Sequence, residues 1–86
     1  MSNTSKPAAR VSMFPVAAAI WRNKTEKGTF YNVTFERSYK SEGGSWESTQ
    51  SFSADDLLLL AKVADQAHSE IYKLRADDRA AQQPGE

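Results

Sequence analysis

Residues 27–40 read KGTFYNVTFERSYK, an unbroken run of β-branched and aromatic residues with basic side chains at both ends. Tyr31, Val33 and Phe35 alternate with Asn32, Thr34 and Glu36, the period of two expected of a strand with one buried face. A strand is therefore expected over Thr29–Tyr39. Tyr31, Val33 and Phe35 point to a core shared with Ile20, and Phe30 puts an aromatic on the polar face. The stretch allows two readings. It is a core strand with basic ends, or one strand of a sheet whose open face grips a polyanion.

The flanking sequence supplies the rest of a sheet. Val16–Arg22 (VAAAIWR) reads as a strand, and NKTEKG after it as a polar turn ending in glycine. Ser41-Glu42-Gly43-Gly44 reads as a hairpin connection, its glycines suited to positive φ. Ser45–Phe52 (SWESTQSF) reads as the next strand, with Trp46, Ser48, Gln50 and Phe52 on one face. A short strand near Val11–Phe14 is a candidate fourth.

The chain then changes period. A helix is expected over Ala54–Ala76, with Ser53 as N-cap and Asp56 three residues on, a capping box with Asp in place of Glu or Gln. Phe52 and Leu57 form the hydrophobic staple, and Asp55 and Asp56 suit the positive end of the helix dipole. Leu57, Leu60, Ala64, Ala67, Ile71 and Leu74 make an apolar stripe, widened by Leu59 and Val63. The expected fold is α+β: an antiparallel sheet of three to four strands followed by one long C-terminal helix. Residues 13–76 form the domain, with flexible tails at 1–12 and 77–86. Such a helix runs about 35 Å, whereas three strands span roughly 15 Å across. A helix-mediated homodimer through Ala67, Ile71 and Leu74 is the expected way to cover the excess.

Composition excludes several functions. The 86 residues contain no cysteine and one histidine, so neither a disulfide scaffold nor an imidazole metal site is expected. His68 has no nucleophile and orienting acid to work with, and no GKS/T follows the paired glycines. No enzyme activity, cofactor or metal is expected. No segment reads as a signal peptide or a bilayer span, so a cytoplasmic protein without membrane contact is the expectation.

Eleven basic and eleven acidic residues cancel overall but are unevenly placed. Residues 1–40 hold Lys6, Arg10, Arg22, Lys24, Lys27, Arg37 and Lys40 against Glu26 and Glu36, and the acids concentrate after residue 40. Binding follows the local field rather than the total. The basic half also carries aromatics on which splayed bases can stack. Arg22, Lys24, Lys27, Phe30, Arg37, Tyr39, Lys40 and Trp46 are the expected nucleic-acid-binding residues. Arg37 and Tyr39 share parity with the core face but lie at the strand end, where a twisted sheet leaves its helix. One of the two tryptophans is expected to join the core.

Arg37-Ser38-Tyr39-Lys40, the Glu42-Gly43-Gly44 turn, Trp46, and the step Phe52-Ser53-Ala54-Asp55-Asp56-Leu57 into the helix together resemble the single-stranded-nucleic-acid binders of the transcriptional coactivator p15 (PC-four-like), Whirly and Pur-alpha type. The likeness covers about residues 16–74. It implies a dimer that binds single-stranded DNA or RNA, DNA ahead of RNA, through curved sheets and with little sequence preference. A different class of function is a small dimeric protein-interaction or regulatory module that docks through its acidic helix.

Overall fold

Ala9–Met13 (β1), Val16–Thr25 (β2), Gly28–Lys40 (β3) and Trp46–Thr49 (β4) form one antiparallel sheet, ordered β1-β2-β3-β4, in the computed structural model, which describes residues 6–82. A 3-10 turn at Ala54–Asp56 then leads into a single helix, Leu57–Gln82 (α1). The α+β class and the sheet-then-helix order are as the sequence predicts, and the fourth strand is present at the N-terminal side.

Tight turns set the register. Phe14-Pro15 links β1 to β2, with Met13 opposite Val16. Glu26-Lys27 links β2 to β3, with Thr25 opposite Gly28. Gly28 has φ +132°, which a side chain would strain, and the Thr25 hydroxyl closes the turn by donating to Gly28 O at 2.9 Å. Between β3 and β4, Gly44 has φ +89°, and Ser41 N–H donates to Ser45 O at 2.8 Å. NKTEKG is therefore mostly strand, because the turn needs only two residues.

The helix lies over β1 and β2. Its two ends are fixed by ion pairs, Asp56 to Arg37 at 3.2 Å and Asp78 to Arg22 at 3.0 Å, so it runs along the β2–β3 hairpin rather than across the strands. Val16, Ala18 and Ile20 of β2 are buried against Val63 and Ala67 of α1. Burying a Val or Ile side chain is worth roughly 1.5–3 kcal/mol, which makes β2 the main anchor of the sheet. Ala9, Val11 and Met13, Tyr31, Val33 and Phe35, and Phe52, Leu59 and Leu60 pack around this centre. The β3 residues expected in the core are on the helix side but only half-buried, since the helix sits over the neighbouring strands.

Several sequence expectations are corrected here. Ala67 is 2% exposed in the chain's own core, and Ile71 and Leu74 pack against that core. Ala67 therefore has no surface left for a partner, and Ile71 and Leu74 are only partly exposed. A 26-residue helix spans about 39 Å and the 13 residues of β3 about 43 Å, so length along the strands, not the width of the sheet, is the relevant measure. β1 begins at Ala9 and α1 continues past Ala76, so parts of both expected tails are ordered elements. Residues 1–5 and 83–86 of those tails lie outside the described residues.

β4 ends at Thr49 instead of Phe52. Ser51 N–H donates to Thr49 Oγ1 at 3.1 Å and Arg37 Nε donates to Ser51 O at 3.1 Å, which turns the chain out of the ladder toward the helix. Phe52 thus reaches the helix-side core, while Trp46 points to the opposite face. No tryptophan joins the core. Trp21 follows Ile20 in β2 and takes the other face, as period two requires.

Candidate functional site

The register divides the expected binding residues between the two faces of the sheet. Arg22, Lys24, Arg37 and Tyr39 share the face that carries α1, whereas Phe30, Lys40 and Trp46 lie on the uncovered face. Lys27 sits in the β2–β3 turn, exposed, between the two.

On the helix side the two arginines have structural partners. Arg22 Nη2 meets Asp78 Oδ1 at 3.0 Å, and Arg22 Nε donates to the Tyr31 hydroxyl at 3.3 Å. The Tyr31 hydroxyl in turn donates to Asp78 Oδ2 at 2.5 Å. The Tyr31 and Arg22 hydrogen bonds, with weaker help from Lys24, hold the Asp78 carboxyl below its ordinary range. Partial desolvation, then the bond to Asp78, pushes the Tyr31 phenol up.

At the other end Arg37 bridges Asp56 and Ser51 O. Asp56 accepts from both the Ser53 hydroxyl at 2.9 Å and the Ser53 N–H at 3.1 Å. These two bonds, and then the Arg37 charge, lower the Asp56 carboxyl. The Tyr39 hydroxyl donates to Glu47 at 3.1 Å, and that bond raises its phenol. Arg22, Arg37 and Tyr39 therefore brace the helix and the β3–β4 hairpin.

The uncovered face has a different character. Arg10 and Ser12 of β1, Ala17, Ala19, Trp21 and Asn23 of β2, Phe30 to Lys40 at even positions of β3, and Trp46 and Ser48 of β4 make it up. Phe30, Trp46 and the turn residue Phe14 are largely exposed, at 48%, 60% and 70%. Phe14 and Trp46 meet edge to face, ring centres 5.7 Å apart at 72°, and Lys40 Nζ lies 5.9 Å from the Trp46 ring centre. That is a cation–π distance, which leaves the ammonium at the surface beside an aromatic platform. Trp21 is half-buried and its indole N–H donates to Thr34 Oγ1 at 3.0 Å, which fixes the ring. The Asn23 side-chain nitrogen is buried beside these residues with no hydrogen-bond partner among the described residues.

Arg10 and Phe14 were not among the expected binding residues, and neither was Trp21, which the sequence leaves open as a stacking residue or as the tryptophan of the core. Parity could have found Trp21, since placing Ile20 inward fixes Trp21 outward. Arg10 and Phe14 required knowing that β1 exists and how it pairs.

The arrangement defines a class, a four-stranded antiparallel sheet with one face covered by a C-terminal helix and the other left open and aromatic. No family model, curated protein or solved structure matches the chain. Among the described residues no helix is long and apolar enough to cross a membrane.

Proposed function

We propose that the chain binds single-stranded nucleic acid, DNA ahead of RNA, on the uncovered face of its sheet. The observation that carries this reading is the gathering of Phe14, Trp21, Phe30 and Trp46 on the side opposite the helix, with Lys40 against the Trp46 ring. Base–aromatic stacking is worth roughly 1–3 kcal/mol per base and asks for exposed ring faces, which duplex bases do not offer. Arg10, Lys27 and Lys40 make no ion pair among the described residues and are the phosphate contacts of this surface. Arg22 and Arg37 serve the fold instead.

Fluorescence anisotropy with a labelled single strand at several salt concentrations tests the reading. Three phosphate contacts give a log–log salt slope of about 2 for single strands. Binding that ignores salt, or equal preference for duplex, removes the proposal.

The proposed working form is a homodimer, and its contact is moved from the helix to an edge of the sheet. β4 pairs with Arg37–Lys40 alone, so residues 28–36 of β3 leave one edge open. That edge contains no proline and no bulge, the usual devices by which monomers blunt an edge, and an antiparallel second copy can pair with it. Sedimentation velocity over a concentration series decides between monomer and dimer.

The protein-interaction reading has one observation in its favour. Leu57, Leu58 and Tyr72 are exposed on α1, Leu58 at 82%. Loss of function on Leu58→Lys with strand affinity intact selects that reading.

A further inference from the structure

We propose that a notch in the open face, between Trp21 and Glu36, is a subsite for a single guanine base; this deepens the sheet-face reading and rests on it. The notch has a volume of about 170 Å³. Ala17 and Ala19 form its floor on the central strand β2, and Arg10, Trp21, Thr34 and Glu36 stand around them. The register explains the depression. Ala19 lies between Arg10 and Thr34, and Ala17 between Ser12 and Glu36, so two methyl side chains are bounded by short neighbours on one side each and by the long Arg10 and Glu36 at diagonally opposite corners. The Trp21 to Thr34 hydrogen bond holds the indole as one wall.

Arg10 and Glu36 carry opposite charges into the same notch, yet no ion pair joins them among the described residues. The unpaired carboxylate is informative, because a surface that only gripped phosphates would place no anion there. A carboxylate accepts hydrogen bonds and donates none. Guanine alone among the common bases offers two adjacent N–H donors on its Watson–Crick edge, N1–H and the 2-amino group. Adenine and cytosine set a ring-nitrogen acceptor beside their amino group, and thymine flanks its N3–H with two carbonyls. Each of these repels one carboxylate oxygen. Glu36 therefore selects guanine, Trp21 supplies the stacking wall, and Arg10 reaches the adjoining phosphate.

The test compares labelled oligothymidylates of about twelve nucleotides, within the span such sheets cover. One strand is thymine throughout, and the others carry one central guanine, hypoxanthine or adenine. Two charge-assisted hydrogen bonds predict roughly tenfold tighter binding of the guanine strand. Hypoxanthine, which lacks the 2-amino group, returns much of that gain, and adenine shows little of it. Glu36→Gln removes a negative charge and so tightens the all-thymine strand slightly, while the guanine strand loses its paired bonds and weakens; the quantity read is the ratio of guanine to thymine affinity, which falls to near one. Glu36 is exposed, and the melting temperature of the variant checks that its fold is retained.

Equal affinity of the wild-type protein for guanine and thymine strands overturns the subsite and leaves the sheet-face reading standing. An equal gain from adenine assigns the effect to purine stacking and also overturns it, as does a ratio that survives Glu36→Gln. Failure to bind any of the strands overturns both readings.

Discussion

The Tyr31 hydroxyl donates to Asp78 Oδ2 at 2.5 Å across 47 residues of sequence, and Arg22 binds the same carboxylate from the adjacent strand. This contact ties the first half of β3 to the last turns of α1. Arg37 and Asp56 do the same at the other end. A helix with only a thin buried core beneath it is thereby pinned at both ends by polar contacts. The basic residues that make these contacts, Arg22 and Arg37, are paired with carboxylates of the chain itself.

Acid sensitivity follows from the two lowered carboxyls, Asp78 and Asp56. A carboxyl whose folded pKa is depressed contributes stability above its unfolded value, and that contribution is lost as pH falls through the folded value. The melting temperature should therefore decline on acidification below about pH 4, the ordinary range of an aspartate. Asp78→Asn should melt lower at neutral pH and show a shallower acid decline, Asp56 supplying what remains. Thermal melts of both proteins in a pH series check this. An equally steep decline in the variant removes Asp78 from the account.

Arg37 and Lys40 sit three residues apart in β3 but face opposite ways, so their losses should separate. Arg37→Gln should lower the melting temperature, by breaking the contacts to Asp56 and Ser51, and leave strand affinity nearly unchanged. Lys40→Gln should weaken strand binding, reduce the salt slope by somewhat under one unit, and leave melting nearly unchanged. Melting and anisotropy on both variants give four values. The reverse assignment would place the binding surface on the helix side.

Burial ranks the apolar positions. Ile20 is wholly buried, so Ile20→Ala should cost about 2–5 kcal/mol through lost contact and cavity formation. Val33 is opposite Ile20 in the ladder but half-buried, and Val33→Ala should cost distinctly less. Urea titrations of the two variants measure the difference. Equal losses would mean that β3 is covered in solution, as an edge-paired dimer would cover it.

Amide exchange along β3 should alternate. Ser38 N–H donates toward β2, to Pro15 O, so the even residues before it face β2 and the odd ones face the open edge. In the monomer, the amides of Thr29, Tyr31, Val33 and Phe35 should exchange fast and those of Phe30, Asn32 and Thr34 slowly. Protection of the odd set that grows with protein concentration would report pairing of the edge with a second copy. Uniformly fast exchange across both sets would contradict the register itself.

The elements were largely legible because their signals are local. Alternation in Tyr31-Asn32-Val33-Thr34-Phe35 marked β3, and Ser53 with Asp56 marked the start of the helix, where their hydrogen bonds are found. β1 was faint, since ARVSM is five residues with only Val11 and Met13 as strong apolar positions. The end of β4 was misplaced because it depends on Arg37, a residue twelve positions earlier than Thr49, reaching Ser51 O. The expected binding residues were divided between the two faces by a register the sequence does not display. Charge and aromaticity identify which side chains can contact a polyanion, but Arg22 and Arg37 qualify on both counts of charge and reach and still belong to the helix side.

By itself the sequence determined the α+β class, the long strand β3, the cap, and the apolar stripe of the helix apart from Leu57, which is exposed. Each rests on residues within a few positions of one another, where steric preference and period act directly. The tertiary structure alone decided which face of the sheet the helix covers, and so which aromatics remain open and which cations are paired. That choice rests on register: a shift by one residue exchanges the two faces of a strand, and register is set by turns and by contacts such as Tyr31 to Asp78 that lie far apart along the chain.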